Sequence, residues 1–206
     1  MKSIRIILFL VSLSFFSCTP KTVDKELDFR NEAVEIPQET VDIARVTYDP
    51  KTATWTRNNE LFSGYVEQYY PNKNIKQSIG VLNGKRQKQT LVWFPDGHLK
   101  EVSNYHKGKL HGVKKIWTTN KEHTLVAHLN YYLGKAHGLQ TQWYPTGELY
   151  KKMNFNKGME EGIQQAYRKN GALYANYEAR KGRIFGLKKS KLCFGLTDEE
   201  LQLKNN

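Results

Sequence analysis

Between residues 60 and 187, apolar and aromatic positions recur every 24 residues, and no 3.6-residue stripe competes with them. Glycine opens successive units at Gly84, Gly108, Gly134, Gly158 and Gly182, with spacings of 24, 26, 24 and 24 residues. A further unit begins at Glu60 without that glycine. Counting the glycine as position one, the tenth position is Tyr69, Trp93, Trp117, Trp143 and Tyr167. The sixteenth is Ile75, Leu99, Leu125, Leu149 and Leu173, allowing two extra residues before Leu125. The twentieth is Ile79, Ser103, Leu129, Met153 and Tyr177, and the twenty-second is Val81, Tyr105, Tyr131, Phe155 and Ala179.

Turn signals separate these positions. Pro95-Asp96-Gly97, Pro145-Thr146-Gly147 and Lys169-Asn170-Gly171 lie mid-unit, and Asn83-Gly84 and Lys157-Gly158 lie at unit boundaries. Two turns per unit leave two strand-length segments. The pattern predicts an all-β, elongated antiparallel meander of about ten strands, built from β-hairpin repeats that bury their apolar face only by stacking on neighbours. The four apolar columns share one parity. A tight hairpin would set the tenth residue opposite the sixteenth and place Tyr69, Trp93, Trp117, Trp143, Tyr167, Leu99, Leu125, Leu149 and Leu173 on the buried face. The eleventh position, Tyr70, Phe94 and Tyr144, then falls on the opposite, solvent-facing side.

The run Trp143-Tyr144-Pro145-Thr146-Gly147-Glu148-Leu149, with Gly134-Lys135-Ala136-His137-Gly138, resembles the MORN-repeat-variant family, whose members often carry the label of YwqK-like antitoxins. The resemblance covers roughly residues 60 to 187 and implies a β-hairpin scaffold for association with proteins or membranes. Antitoxin activity is implied by the family label alone. Two departures stand out: Lys88 occupies a fifth-position glycine site, and Thr118-Thr119 replaces the aromatic-proline pair.

The flanks have their own character. Residues 1–17 join a basic start, Lys2 and Arg5, to an apolar run from Ile6 to Phe16, the form of a secretory signal. Cys18 directly follows Ser17, as in a bacterial lipobox, although Phe15 stands at the usual leucine position. Lipidation of Cys18 is expected; ordinary cleavage nearby is the alternative. Residues 18–43 read as a tether, and residues 44–206 as the repeat domain. Tyr48 to Trp55 reads as a hairpin capping the first edge. Gly182 opens a sixth unit that stops early, and Lys191-Leu192-Cys193-Phe194 reads as a closing strand.

Charge changes the picture along the chain. From Cys18 onward there are 30 basic and 20 acidic residues. Residues 18–59 carry 6 and 8 of these, net −2, so residues 60–206 carry net +12. A lysine-rich surface discourages edge-to-edge sheet association, and it also suits anionic lipid, polysaccharide or an acidic protein. The chain lacks HExxH, CxxC, GxSxG and a phosphate-binding glycine loop. His111 and His137 share a repeat column two strands apart, about 10 Å, too far for one ion. Each is expected to flank a turn. Adjacent Glu160 and Glu161 would point to opposite faces, poor geometry for a general acid/base pair.

The sequence therefore predicts a non-enzymatic scaffold with no cofactor or metal. It would be anchored by lipid in the bacterial outer membrane, facing periplasm or cell surface, and bind an envelope protein rather than nucleic acid. A basic module for anionic lipid or wall polymer is the second reading. The expected partner surface comprises Phe94, Tyr144 and Tyr70 with the irregular loop from Thr118 to Thr124, including Lys121 and His123. Loops that outgrow their repeat often bear function. Packing of the aromatics under the tether is the competing view.

Overall fold

The computed structural model describes residues 34–187. The chain divides after Glu32, and every described residue belongs to the unit Ala33–Asn206. The expected signal segment, Cys18, Cys193 and the expected closing strand lie outside the described residues.

Thirteen strands make up the first edge segment and the repeats. They are β1 (Thr40–Asp42), β5 (Gly64–Tyr69), β6 (Ile75–Leu82), β7 (Lys85–Trp93), β8 (Leu99–His106), β9 (Lys109–Trp117) and β10 (Leu125–Tyr132), then β11 (Lys135–Ala136), β12 (Gly138–Trp143), β13 (Leu149–Asn156), β14 (Met159–Tyr167), β15 (Leu173–Arg180) and β16 (Arg183–Leu187). Together they form one open 13-stranded sheet in which each strand from β5 onward pairs antiparallel with its sequence neighbour; the short β11 pairs only with β10. The predicted meander is therefore the observed one. A separate three-stranded sheet joins β2 (Thr47–Asp49), β3 (Thr54–Arg57) and β4 (Glu60–Leu61).

The predicted turns form as read. At each unit boundary two residues have positive φ, Asn83-Gly84 (48° and 72°) and Lys157-Gly158 (47° and 92°) for example. That is the two-residue hairpin whose twist matches the strands. The boundary turn is also tied to the preceding unit. Gly84, Gly108, Gly134 and Gly158 donate their N–H to the carbonyls of Phe62, Arg86, Leu110 and Ala136.

The N-terminal cap differs from expectation in extent. Residues 34–43 are not all tether: Ile36 and Val41 are buried, and β1 pairs in parallel with β5. The hairpin of β2 and β3 forms as predicted, with Asp49 accepting from Lys51 N–H and Thr52 Oγ1 in its turn. It does not extend the repeat sheet. Its Trp55 instead packs with Val41, Phe62, Val66, Ile79 and Val81 into an apolar cluster.

Face assignment is where the parity argument fails. Each tenth residue does face its sixteenth, as in Trp93↔Leu99 and Trp143↔Leu149. However, the register slips by one residue just before that pair in every repeat hairpin. Across β7 and β8, Val92 pairs with Glu101 and Trp93 with Leu99, so Lys100 is an extra residue. One extra residue inverts the parity of everything beyond it. The buried row runs instead through the seventh and twentieth positions: Val66↔Ile79↔Thr90↔Ser103↔Lys114, and Gln140↔Met153↔Gln164↔Tyr177. The tenth row lies on the other face. Trp93, Trp117, Trp143 and Tyr167 are half-buried there, Tyr69 is 47% exposed, and the sixteenth row is half-buried apart from exposed Leu173.

A second irregularity sits where each unit joins the next. The fifth position takes positive φ at Gly112 (86°), Gly138 (76°) and Gly162 (84°), and the strand bulges. The bulge interrupts the backbone ladder opposite Asn130 and Asn154. Buried Gln140 and Gln164 replace the missing peptide group: Gln164 Oε1 accepts from Asn154 N–H at 3.1 Å, and its Nε2 donates to Asn154 O at 2.7 Å. Gln140 does the same for Asn130 at 3.0 and 2.8 Å. A buried side-chain amide is tolerated when it completes such bonds.

Candidate functional site

The eleventh-position residues were expected at the surface, and the structure places two of them inside. Phe94 is 6% and Tyr144 5% exposed, while Tyr70 is half-buried. The cause is the stacking of hairpin ends. Tyr70 and Tyr144 donate their hydroxyls to the carbonyls of Trp93 and Tyr167, 23 residues on, at 2.9 Å each. Each ring thus spans to the following unit. The bulged seventeenth residue packs back on it: Lys76 lies over Tyr70, Lys100 over Phe94, and Tyr150 sits 4.9 Å from Tyr144. These aromatics join repeats together, and Phe94 and Tyr144 are buried rather than solvent-facing as expected.

The turns stack on the same edge. Asn72 and Asn74 donate to Pro95 O, and Asn120 donates to Pro145 O. The irregular third-unit loop therefore lies beside the fourth-unit turn, and the contact of His123 with His98 sets it beside the second-unit turn as well. Thr118, Asn120 and His123 are half-buried, and Lys121 is exposed. Asn120 organises the loop: its Oδ1 accepts from Thr118 Oγ1 and from Thr124 N–H at 3.1 Å, and its Nδ2 donates to Thr124 Oγ1 at 3.0 Å. His123 N–H bonds Asn120 O, just as Gly97 N–H bonds Phe94 O in the regular turn. His123 thus occupies the turn's left-handed position, with φ 44°. Its ring stacks on His98 with centroids 3.5 Å apart and lies 6.5 Å from Phe94.

Asp96 completes this corner. Its Oδ1 accepts from His98 N–H at 3.0 Å and lies 3.3 Å from His98 Nδ1. The backbone bond from His98 chiefly holds the Asp96 carboxyl below its ordinary value. Sequence reasoning paired His111 with His137 and missed this trio, because His98 and His123 belong to no common repeat column. The only available signal was the two-residue insertion. His111 and His137 are turn-flanking residues: their Nδ1 atoms accept from Leu133 and Lys157 N–H at 3.3 Å. Ser63 and Gln87 do the same for Asn83 and Lys107.

Electrostatics also act inside the sheet. Lys114 stands in the buried row and meets Glu101 at 2.8 Å. Burial raises the Glu101 carboxyl, but hydrogen bonds from Lys114 and Ser103 together outweigh it and hold the group below its ordinary value. Near the far end, burial and a bond to Glu160 push the Tyr177 phenol up to about 12. Among the described residues, no helix is long and apolar enough to cross a membrane.

The open face carries the tenth-position aromatics and sixteenth-position aliphatics. By strand alternation Lys115 and Lys152 share it. No curated protein and no solved structure matches the chain. Residues 136–157, spanning most of the fourth unit, match the family model described as MORN repeat variant, which supports the MORN-repeat family for this chain.

Proposed function

We propose that the protein is a non-enzymatic repeat scaffold of the bacterial cell envelope, anchored by lipid at Cys18, whose open sheet face docks an acidic protein. One observation carries the reading: Tyr69, Trp93, Trp117, Trp143 and Tyr167 form a partly exposed aromatic row on a lysine-bearing face. Such side chains bury much area at low entropic cost and recur as binding anchors. MORN repeats are often used in protein or membrane association, which agrees with this use. The lipid anchor rests on the Ser17-Cys18 sequence alone.

The test is capture from envelope extract by full-length protein and by a Trp93→Ser, Trp143→Ser double variant with an unchanged circular dichroism spectrum. Capture of one acidic protein that persists in high salt and is lost in the variant supports the proposal. Capture that the variant retains overturns the docking face. Net charge of +12 over residues 60–206 favours the second reading, a module for anionic lipid or wall polymer. That reading predicts binding to anionic vesicles that collapses as ionic strength rises. For the anchor, Cys18→Ala should leave the membrane fraction; normal maturation and retention there would refute lipidation.

A further inference from the structure

We propose that Asp96, His98 and His123 form a binding site for a divalent transition-metal ion, clipping the second repeat to the third. Among the described residues they are the one group of three His, Cys, Asp or Glu whose ligand atoms lie within 4.8 Å of one another. The donor set is two imidazoles and a carboxylate, which suits Zn²⁺ or its neighbours and not Ca²⁺ or Mg²⁺. The 3.3 Å between Asp96 Oδ1 and His98 Nδ1 fits a shared ion. Two ligands about 2.1 Å from one ion and that far apart subtend roughly 100°, close to tetrahedral. His123 supplies the third donor from the stacked ring, and its Nδ1 is shielded from solvent without a hydrogen-bond partner. A small rotation fans the two rings around the ion, leaving a fourth position for water.

The insertion explains why this corner differs from its equivalents. In the second, fourth and fifth units the mid-unit turn puts Gly97, Gly147 and Gly171 in the left-handed position, with no side chain to offer, and in the first it puts Lys73 there, a cation and not a metal ligand. The third unit places His123 there and accepts the strain of φ 44° for a residue with a Cβ. The residues equivalent to Asp96 and His98 are Asn72 and Asn74, Thr146 and Glu148, or Asn170 and Ala172 in other units. Asn120 fixes the loop through bonds to Thr118, Thr124 and Pro145, so the third donor is positioned in advance.

Calorimetric titration of tag-free, chelator-treated full-length protein with ZnCl₂ tests the site. One ion should bind per chain, with a raised melting temperature in excess Zn²⁺ and no heat from CaCl₂. His98→Gln and His123→Gln should each weaken binding at least tenfold, and His128→Gln, on β10, should leave it unchanged. If His123→Gln perturbs the loop, the exposed His98→Gln decides. Absence of binding to the unaltered protein, or unchanged affinity in both site variants, would overturn the assignment.

Discussion

The two ends of the repeat sheet are built from the same unit and stabilised by different means. At the N-terminal end, Val41, Trp55, Phe62, Val66, Ile79 and Val81 make an apolar cluster, closed by a cap that is not itself a repeat. Gly80 there has no room for a side chain, since a Cβ would lie 2.8 Å from Ile36 Cδ1 and 2.6 Å from Gln87 O. At the C-terminal end the buried row is Gln140, Gln164, Ala166, Tyr177 and Ala179. Large apolar side chains sit outside it: Met159, Ile163, Leu173, Ile184 and Phe185 are all exposed. A hairpin repeat has too little apolar surface for a core of its own, so a cap can supply a hydrophobic core and the plain repeat depends on polar bonds. Apolar burial is worth roughly 25 cal/mol per Å², whereas a protein hydrogen bond nets about 1 kcal/mol. The C-terminal units should therefore open at lower free energy, which native-state amide exchange would read as weaker protection than in β5 and β6.

The largest expected effect contrasts the ends directly. Trp55→Ala should destabilise by about 3–5 kcal/mol through lost burial and a cavity. Met159→Ser should stay within about 0.5 kcal/mol, as exposed substitutions do. Equal shifts in denaturant midpoint would erase the distinction between the ends. The next contrast concerns the inverted faces in the second unit: Phe94→Ala should approach the Trp55 value, and Trp93→Ala, half-exposed, should cost clearly less. Melting temperatures in the reverse order would restore the parity assignment.

A third measurement probes the polar end. Gln164→Leu keeps the volume but strands the Asn154 N–H and carbonyl, at a cost of about 1–3 kcal/mol. A neutral result would show that the amide bridge contributes nothing to the C-terminal row. The middle of the sheet offers a test in pH. The folded Glu101 carboxyl lies below its unfolded value, so its contribution is present above the ordinary carboxylate range and lost as pH falls through the lower folded value. Lys114→Met should flatten that acid limb relative to the unaltered protein, and an identical pH profile would remove the ion pair from the account. The smallest effect is a gain. Lys88 holds φ 57° where other units have glycine, and Lys88→Gly should relieve strain of about 1 kcal/mol. A lowered melting temperature would mean the Lys88 side chain contributes more than its backbone costs.

The 24-residue period, both turn types, the antiparallel meander and the Tyr48–Trp55 hairpin are determined by sequence because local chemistry encodes them. Asn-Gly and Pro-Asp-Gly specify turns without knowing their neighbours, and turn length fixes that Trp93 meets Leu99. What lies between the turns was less legible. Lys100 is an ordinary residue in an alternating strand until β7 pairs with β8 and leaves it without a partner, and that single bulge exchanges the roles of Trp93 and Phe94. No sequence pattern announces the burial of Gln140 and Gln164, because their partners are backbone groups exposed only by a bulge in the assembled sheet. Asp96 and His98 are joined by His123 only because successive turns stack on one edge and a two-residue insertion reaches across. Local backbone preference travels with the sequence, but register, face and proximity across units exist only once neighbouring strands have paired.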